Sequence, residues 1–165
     1  MTEKEKERGA LAQLLDFAGS RKVLTYFGCT LSAISMLISF VPYICIFLVA
    51  RDLLEVAPNW SEATSIAQYG WVALIFAVIS IVFYFAALMC THLAAFRCAS
   101  NMRKETTKHL MNTSLGYFDS HASGALRRVV DGCASETEGL LAHKLPDTAG
   151  SLTMIAGMLV IFFIF

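Results

Sequence analysis

Charge is absent from three long stretches of this 165-residue sequence, and that gap pattern limits its folds more than anything else in it. Residues 23–50 carry no Asp, Glu, Lys or Arg, nor do residues 63–96, and residues 148–165 are again uncharged. An apolar, uncharged run of about 18 residues or more is a transmembrane helix candidate, because only a helix or a closed barrel satisfies its own backbone in lipid. Such a chain cannot cover this much apolar surface in water: hydrophobic residues are 56% and charged residues 16%, against about 45–50% and about 25% in soluble domains. The composition therefore excludes a secreted disulfide scaffold and a disordered tail. Thirteen basic residues against thirteen acidic ones also leave no overall field to attract nucleic acid.

The first run is about twice the length of a signal-peptide core and follows 22 charged and amphipathic residues, so it reads as a span. Lys4, Lys6, Arg8, Arg21 and Lys22 precede it, while Arg97, Arg103, Lys104 and Lys108 follow the second run. Positive charge favours the inner side. The N-terminus and residues 97–147 are thus expected in the cytoplasm and residues 51–62 outside, with Trp60 at the outer interface. Of the five cysteines, Cys29, Cys45 and Cys90 fall within spans and Cys98 and Cys133 in the cytoplasmic stretch. None lies in the outer loop and none forms a C-x-x-C, which indicates small buried hydrophobes rather than disulfides or zinc ligands.

Leu11, Leu14, Leu15 and Ala18 recur at helical spacing and predict a short helix lying in the inner interface, with Gly19 and Ser20 bending the chain into the first span. Pro42 predicts a kink there. No glycine occurs between Gly70 and Gly116 and no proline between Pro58 and Pro146, so the second span is expected to continue as one helix over about 63–114, far beyond the ~30 Å hydrocarbon core. Breaker-rich residues 114–124 then predict a tight connection with a short helical turn. The pattern Leu126, Val129, Val130, Cys133, Leu140, Leu141 predicts a returning helix. Residues 97–147 therefore read as a cytoplasmic helical hairpin whose tip carries Tyr117 and Phe118. In the last run Ala149, Thr153 and Gly157 are spaced by four, a small-residue seam. The run ends at Ile164-Phe165 without an interfacial anchor, so the sequence is expected to be a piece of a longer chain.

The layout resembles the first half of the transmembrane domain of ATP-binding cassette transporters of the exporter type. The residues that carry the likeness are Leu115-Gly116-Tyr117-Phe118-Asp119, then Ser123-Gly124-Ala125-Leu126-Arg127-Arg128, then Val130-Asp131. Glu136-Thr137 and Leu141-Ala142-His143-Lys144-Leu145-Pro146-Asp147 are similar to a bacterial branch with siderophore and multidrug members.

The resemblance implies an all-α membrane protein. An elbow helix in residues 1–22 would lead to a partial six-helix transmembrane domain in 23–165, with a cytoplasmic loop at 97–147. It implies a multi-pass chain in the plasma membrane that serves as the permease part of an ATP-driven transporter of small or amphipathic substrates. Residues 115–124 would be the coupling element that docks on a nucleotide-binding domain, through Leu115, Tyr117, Phe118, Asp119 and Gly124. Gly124 would let the chain re-enter the next helix, and Asp119 would cap or pair with a base. The implied partners are the bilayer, a nucleotide-binding domain in cis or trans, and a second transmembrane domain, the same or different; nucleic acid is not among them. ATP and Mg would belong to the nucleotide-binding domain, and no cofactor to this chain, which has no Gly-x-x-x-x-Gly-Lys-Ser/Thr loop. The chain alone is thus not expected to be an enzyme. Ser35, Ser39, Tyr43, Tyr84 and His92 are the candidate substrate-path residues, since polar groups within spans are costly and often functional.

Two rivals from other classes explain less. A small three-span structural or channel protein has little use for a hairpin of ~50 residues with an aromatic tip. A sensor kinase would place a phospho-accepting His109 on the hairpin, but the Leu-Met-Asn-Thr that follows lacks the acidic-then-proline pattern. Its outer loop would also be too short for a sensor. None of His92, His109, His121 and His143 forms a ligand-spaced pair in the sequence.

Overall fold

A computed structural model describes residues 9–59 and 65–164, and all regular structure among them is helical. In chain order the α-helices are α1 (Ala10–Ala18), α2 (Lys22–Ile38), α3 (Phe40–Glu55), α4 (Ile66–Met111), α5 (Leu115–Ser120), α6 (Ser123–Gly139) and α7 (Leu145–Ile164). Three helical stretches, Leu11–Glu55, Ile66–Met111 and Ser123–Phe163, are long and apolar enough to cross a membrane. Trp60, the basic residues before Gly9 and Phe165 lie outside the described residues.

The expected long helix is present. α4 runs unbroken for 46 residues, which at ~1.5 Å per residue is about 69 Å, more than twice the hydrocarbon thickness. The kink expected at Pro42 appears as an interruption at Ser39, between α2 and α3. A proline ring clashes with the carbonyl four residues back, here that of Ile38, so the ladder opens upstream of the proline. Ser39 Oγ donates to the Met36 carbonyl at 2.7 Å within this break. α3 then continues past the apolar run to Glu55, whose carboxylate accepts from Arg51 Nε at 2.8 Å.

The chain divides into two compact units, Met1–Gly28 with Leu88–Pro146, and Cys29–Ala87 with Asp147–Phe165. In the first, Leu15 and Ala18 of α1 meet Ala95 and Cys98 of α4 and Leu141 and Ala142, all nearly fully buried. Alanine at these crossings lets backbones approach closely. α1 thus spends half of its apolar stripe on its own chain, while Leu11 remains exposed. Cys98 Sγ donates to the Leu14 carbonyl (3.2 Å) and Asn101 Nδ2 to the Phe17 carbonyl (2.7 Å); the second of these carbonyls is an orphan of a helix end. Gly19 makes the exit with φ +58°, a left-handed conformation that favours glycine. Between α6 and α7, residues Leu140–Lys144 widen into a π turn. Pro146 has no N–H for the Ala142 carbonyl that an α-helix would pair with it. Thr91 Oγ1, fully buried, lies 2.9 Å from that carbonyl and 3.0 Å from its own turn's Leu88 carbonyl. The hairpin helix therefore runs through Pro146 into the last span instead of stopping before it.

In the second unit the close approach is made by glycines. A Cβ on Gly157 would stand 2.5 Å from the Phe40 ring, and one on Gly150 would stand 2.9 Å from Ser32 Oγ. The seam against the first span is therefore Gly150 and Gly157, two turns apart. Of the expected seam only Gly157 is at this contact; Ala149 and Thr153 are half-buried, and the Thr153 hydroxyl is turned back onto the Ala149 carbonyl at 2.9 Å.

Candidate functional site

Two regions carry the residues singled out from the sequence. The first is the hairpin tip. α5 is a six-residue helix that follows Ser114 in extended conformation, and the chain leaves it through extended His121 and Ala122. Tyr117 is half-buried, its ring stacked on His121 with centroids 4.1 Å apart and planes 14° apart. His121 Nδ1 is 2.9 Å from the Tyr117 carbonyl, so the Nδ1–H donates there and fixes the stack. Phe118 meets Tyr117 edge-on at 5.8 Å and forms one wall of a groove of about 330 Å³ with Leu110, Leu126 and Val130. Leu115, by contrast, is 85% exposed, an apolar side chain presented outward beside two ordered aromatics.

Asp119 is also exposed. Gly124 does not play the part expected of it. It is the second residue of α6, its φ is negative, and a Cβ there would meet nothing within 4 Å. The re-entry is made by the extended His121-Ala122 pair, so glycine freedom is not what turns the chain. Behind the tip, Asp131 of α6 forms an ion pair with Arg103 of α4 at 3.7 Å, across the two arms, and accepts from Arg127 of its own helix at 3.4 Å. These groups are exposed, and such pairs contribute about 0.2–1 kcal/mol. The role of His121 against Tyr117 was not read from the sequence; its i, i+4 spacing from Tyr117 was the available signal.

The second region is the spans. Ser35 is buried, its hydroxyl donating to the Ser80 carbonyl at 2.8 Å, while Ser80 Oγ donates to the Ser35 carbonyl at 3.0 Å. This reciprocal clasp joins α2 to α4 and leaves the Ser35 hydroxyl inside the packing. Tyr43 is exposed and lines an apolar cleft of about 880 Å³ with Phe40 and Phe47 of α3 and Met154, Met158 and Phe162 of α7. Tyr84 donates its hydroxyl to Asp147 Oδ1 at 2.8 Å. Ser35, Tyr43 and Tyr84 thus occupy three different contacts of one unit. His92 belongs to the other unit, where its ring meets His143 edge-on at 4.6 Å and Phe96 at 5.6 Å. That histidine pair spans 51 positions, and no local spacing announces it. Among the described residues no group of three or more His, Cys, Asp or Glu is placed to hold a metal.

An all-helical chain with three apolar spans, one of which extends about 69 Å and turns back through a short aromatic helix, is a multi-pass membrane protein. The ABC transporter transmembrane region matches residues 25–165. The chain belongs to that family, which supplies the membrane-spanning part of ABC transporters. No curated protein and no solved structure gives a significant match.

Proposed function

We propose that this chain is the permease part of an exporter-type ABC transporter in the plasma membrane, and that α5 with its flanks, residues 115–124, transmits the state of a nucleotide-binding domain to the spans. The observation that carries this reading is the tip itself: a six-residue helix at the end of a two-armed hairpin, with Leu115 fully presented and Tyr117 and Phe118 ordered beside it. Aromatic anchors next to an apolar contact are what a docking surface needs, since a few such residues carry most of an interface's energy. The arms supply stiffness. α4 and α6 are tied by Arg103 and Asp131, and α6 continues through the π turn into the last span. Only the short links 112–114 and 121–122 separate α5 from the helical arms, so a displacement of α5 has little chain to cross before it meets a helix.

On this reading ATP and Mg are bound by the nucleotide-binding domain and no residue of this chain takes part in hydrolysis. A second transmembrane domain completes the path, and small or amphipathic substrates move between the spans. The N-terminus and the hairpin face the cytoplasm, as the basic residues around them favour. The test is the double substitution Tyr117→Ala with Phe118→Ala in the assembled transporter. Transport into inside-out vesicles is expected to fall about tenfold or more, the scale of losing a two-residue hot spot, while ATP hydrolysis continues without stimulation by substrate. Unchanged transport would refute the coupling role.

A further inference from the structure

The six residues of α5 make fewer than about two helical turns, and a helix this short is marginal on its own in water. Ser114, at its first end, makes no capping hydrogen bond with its side chain. The last end is held by the residues that leave it. The Tyr117 carbonyl is one of those that a helix end leaves open. It accepts from Ser120 Oγ at 3.1 Å and from His121 Nδ1 at 2.9 Å. A carbonyl only accepts, so Nδ1 carries the proton, and Ser120 Oγ also lies 3.0 Å from that nitrogen.

The bland explanation is a capped helix end, since a histidine just past the last turn also suits the helix dipole. It leaves the ring unexplained. A cap needs the Nδ1–H alone, and Ser120 already reaches the same carbonyl. Yet the imidazole lies flat on Tyr117, with centroids 4.1 Å apart and planes 14° apart. Phe118 meets the same phenol ring edge-on and shares a groove with Leu110, Leu126 and Val130 of the arms. His121 is the exposed member of this row, and Tyr117 is half-buried.

We infer that His121 is a positioning residue for Tyr117: tied by its Nδ1–H to the Tyr117 carbonyl, it holds the phenol ring in one orientation before the tip docks. The inference rests on the coupling role proposed above and deepens it by naming a residue that docking needs without its being an anchor. The tie closes within residues 117–121, so it is made without the partner. A side chain ordered beforehand is not ordered at the moment of docking, which strengthens association about threefold to tenfold.

The test is the amount transported per ATP hydrolysed, in inside-out vesicles that carry the assembled transporter. His121→Ala is expected to lower this ratio about threefold to tenfold, with the unfolding midpoint in detergent unchanged. His121→Phe keeps a ring without the Nδ1–H, and His121→Asn keeps a donor without the ring. Each should fall between the parent and His121→Ala. The sharper measurement repeats His121→Ala in a Tyr117→Leu background, where no phenol ring remains to be positioned. There the substitution should cost less than about twofold. A ratio equal to the parent's in His121→Ala would overturn the proposal. So would the same loss in both backgrounds, which would make His121 a contact in its own right, and so would a lowered unfolding midpoint, which would assign it to helix capping. Each of these failures leaves the coupling role standing, because that is read from Tyr117→Ala with Phe118→Ala. Unchanged transport in that double variant would instead remove the reading on which the inference rests.

Discussion

In the unit of Met1–Gly28 and Leu88–Pro146, polar side chains of α4 reach carbonyls that the helices themselves leave open: Asn101 on Phe17 at the end of α1, and Thr91 on Ala142 where Pro146 offers no N–H. In the unit of Cys29–Ala87 and Asp147–Phe165 the hydroxyls are supplementary. The Ser35 carbonyl that Ser80 Oγ reaches already accepts from the Ser39 N–H at 3.0 Å, and the tight fit comes from glycine seated against Phe40, Ser32 and Met36. The difference teaches where each unit is vulnerable. Helix breaks leave one dependent on hydrogen bonding, and close approach leaves the other dependent on side-chain volume.

The largest expected effect comes from breaking the volume rule. Gly157→Leu places atoms where the Phe40 ring stands, and overpacking of this kind costs about 3 kcal/mol. A fall in the unfolding midpoint in detergent should record it, and Phe40→Ala in the same chain should restore much of the loss. A Gly157→Leu protein as stable as the parent would show that the seam is not close-packed.

A smaller effect sharpens the other side of the comparison. Thr91→Val keeps the shape but removes the hydroxyl from the Ala142 carbonyl, at a cost of about 1 kcal/mol, whereas Thr91→Ser should remain near the parent. Equal stability of the valine and serine variants would show that the carbonyl beside Pro146 needs no partner.

Much of the architecture was legible because it is written in runs and breakers. The charge gaps marked the spans, and the lack of glycine and proline gave a helix over about 63–114 that the structure shows as Ile66–Met111. Residues 114–124 gave a short turn that is α5. Pairings across the fold left no such trace. Ser35 with Ser80, Tyr84 with Asp147 and His92 with His143 join positions 45, 63 and 51 residues apart, and nothing in the local pattern of either partner points to the other. Gly124 misled, since a glycine near a turn invites a conformational role that its helical backbone does not use.

The most direct test of the central claim is contact at the tip. With a photo-cross-linking phenylalanine analogue at position 118, irradiation of the assembled transporter in native membranes should give an adduct to the nucleotide-binding domain, whose yield changes when ATP is added. Labelling of lipid alone, or an equal yield of that adduct from the analogue at exposed Val129 on the hairpin arm, would contradict the assignment of α5 as the element that meets the motor.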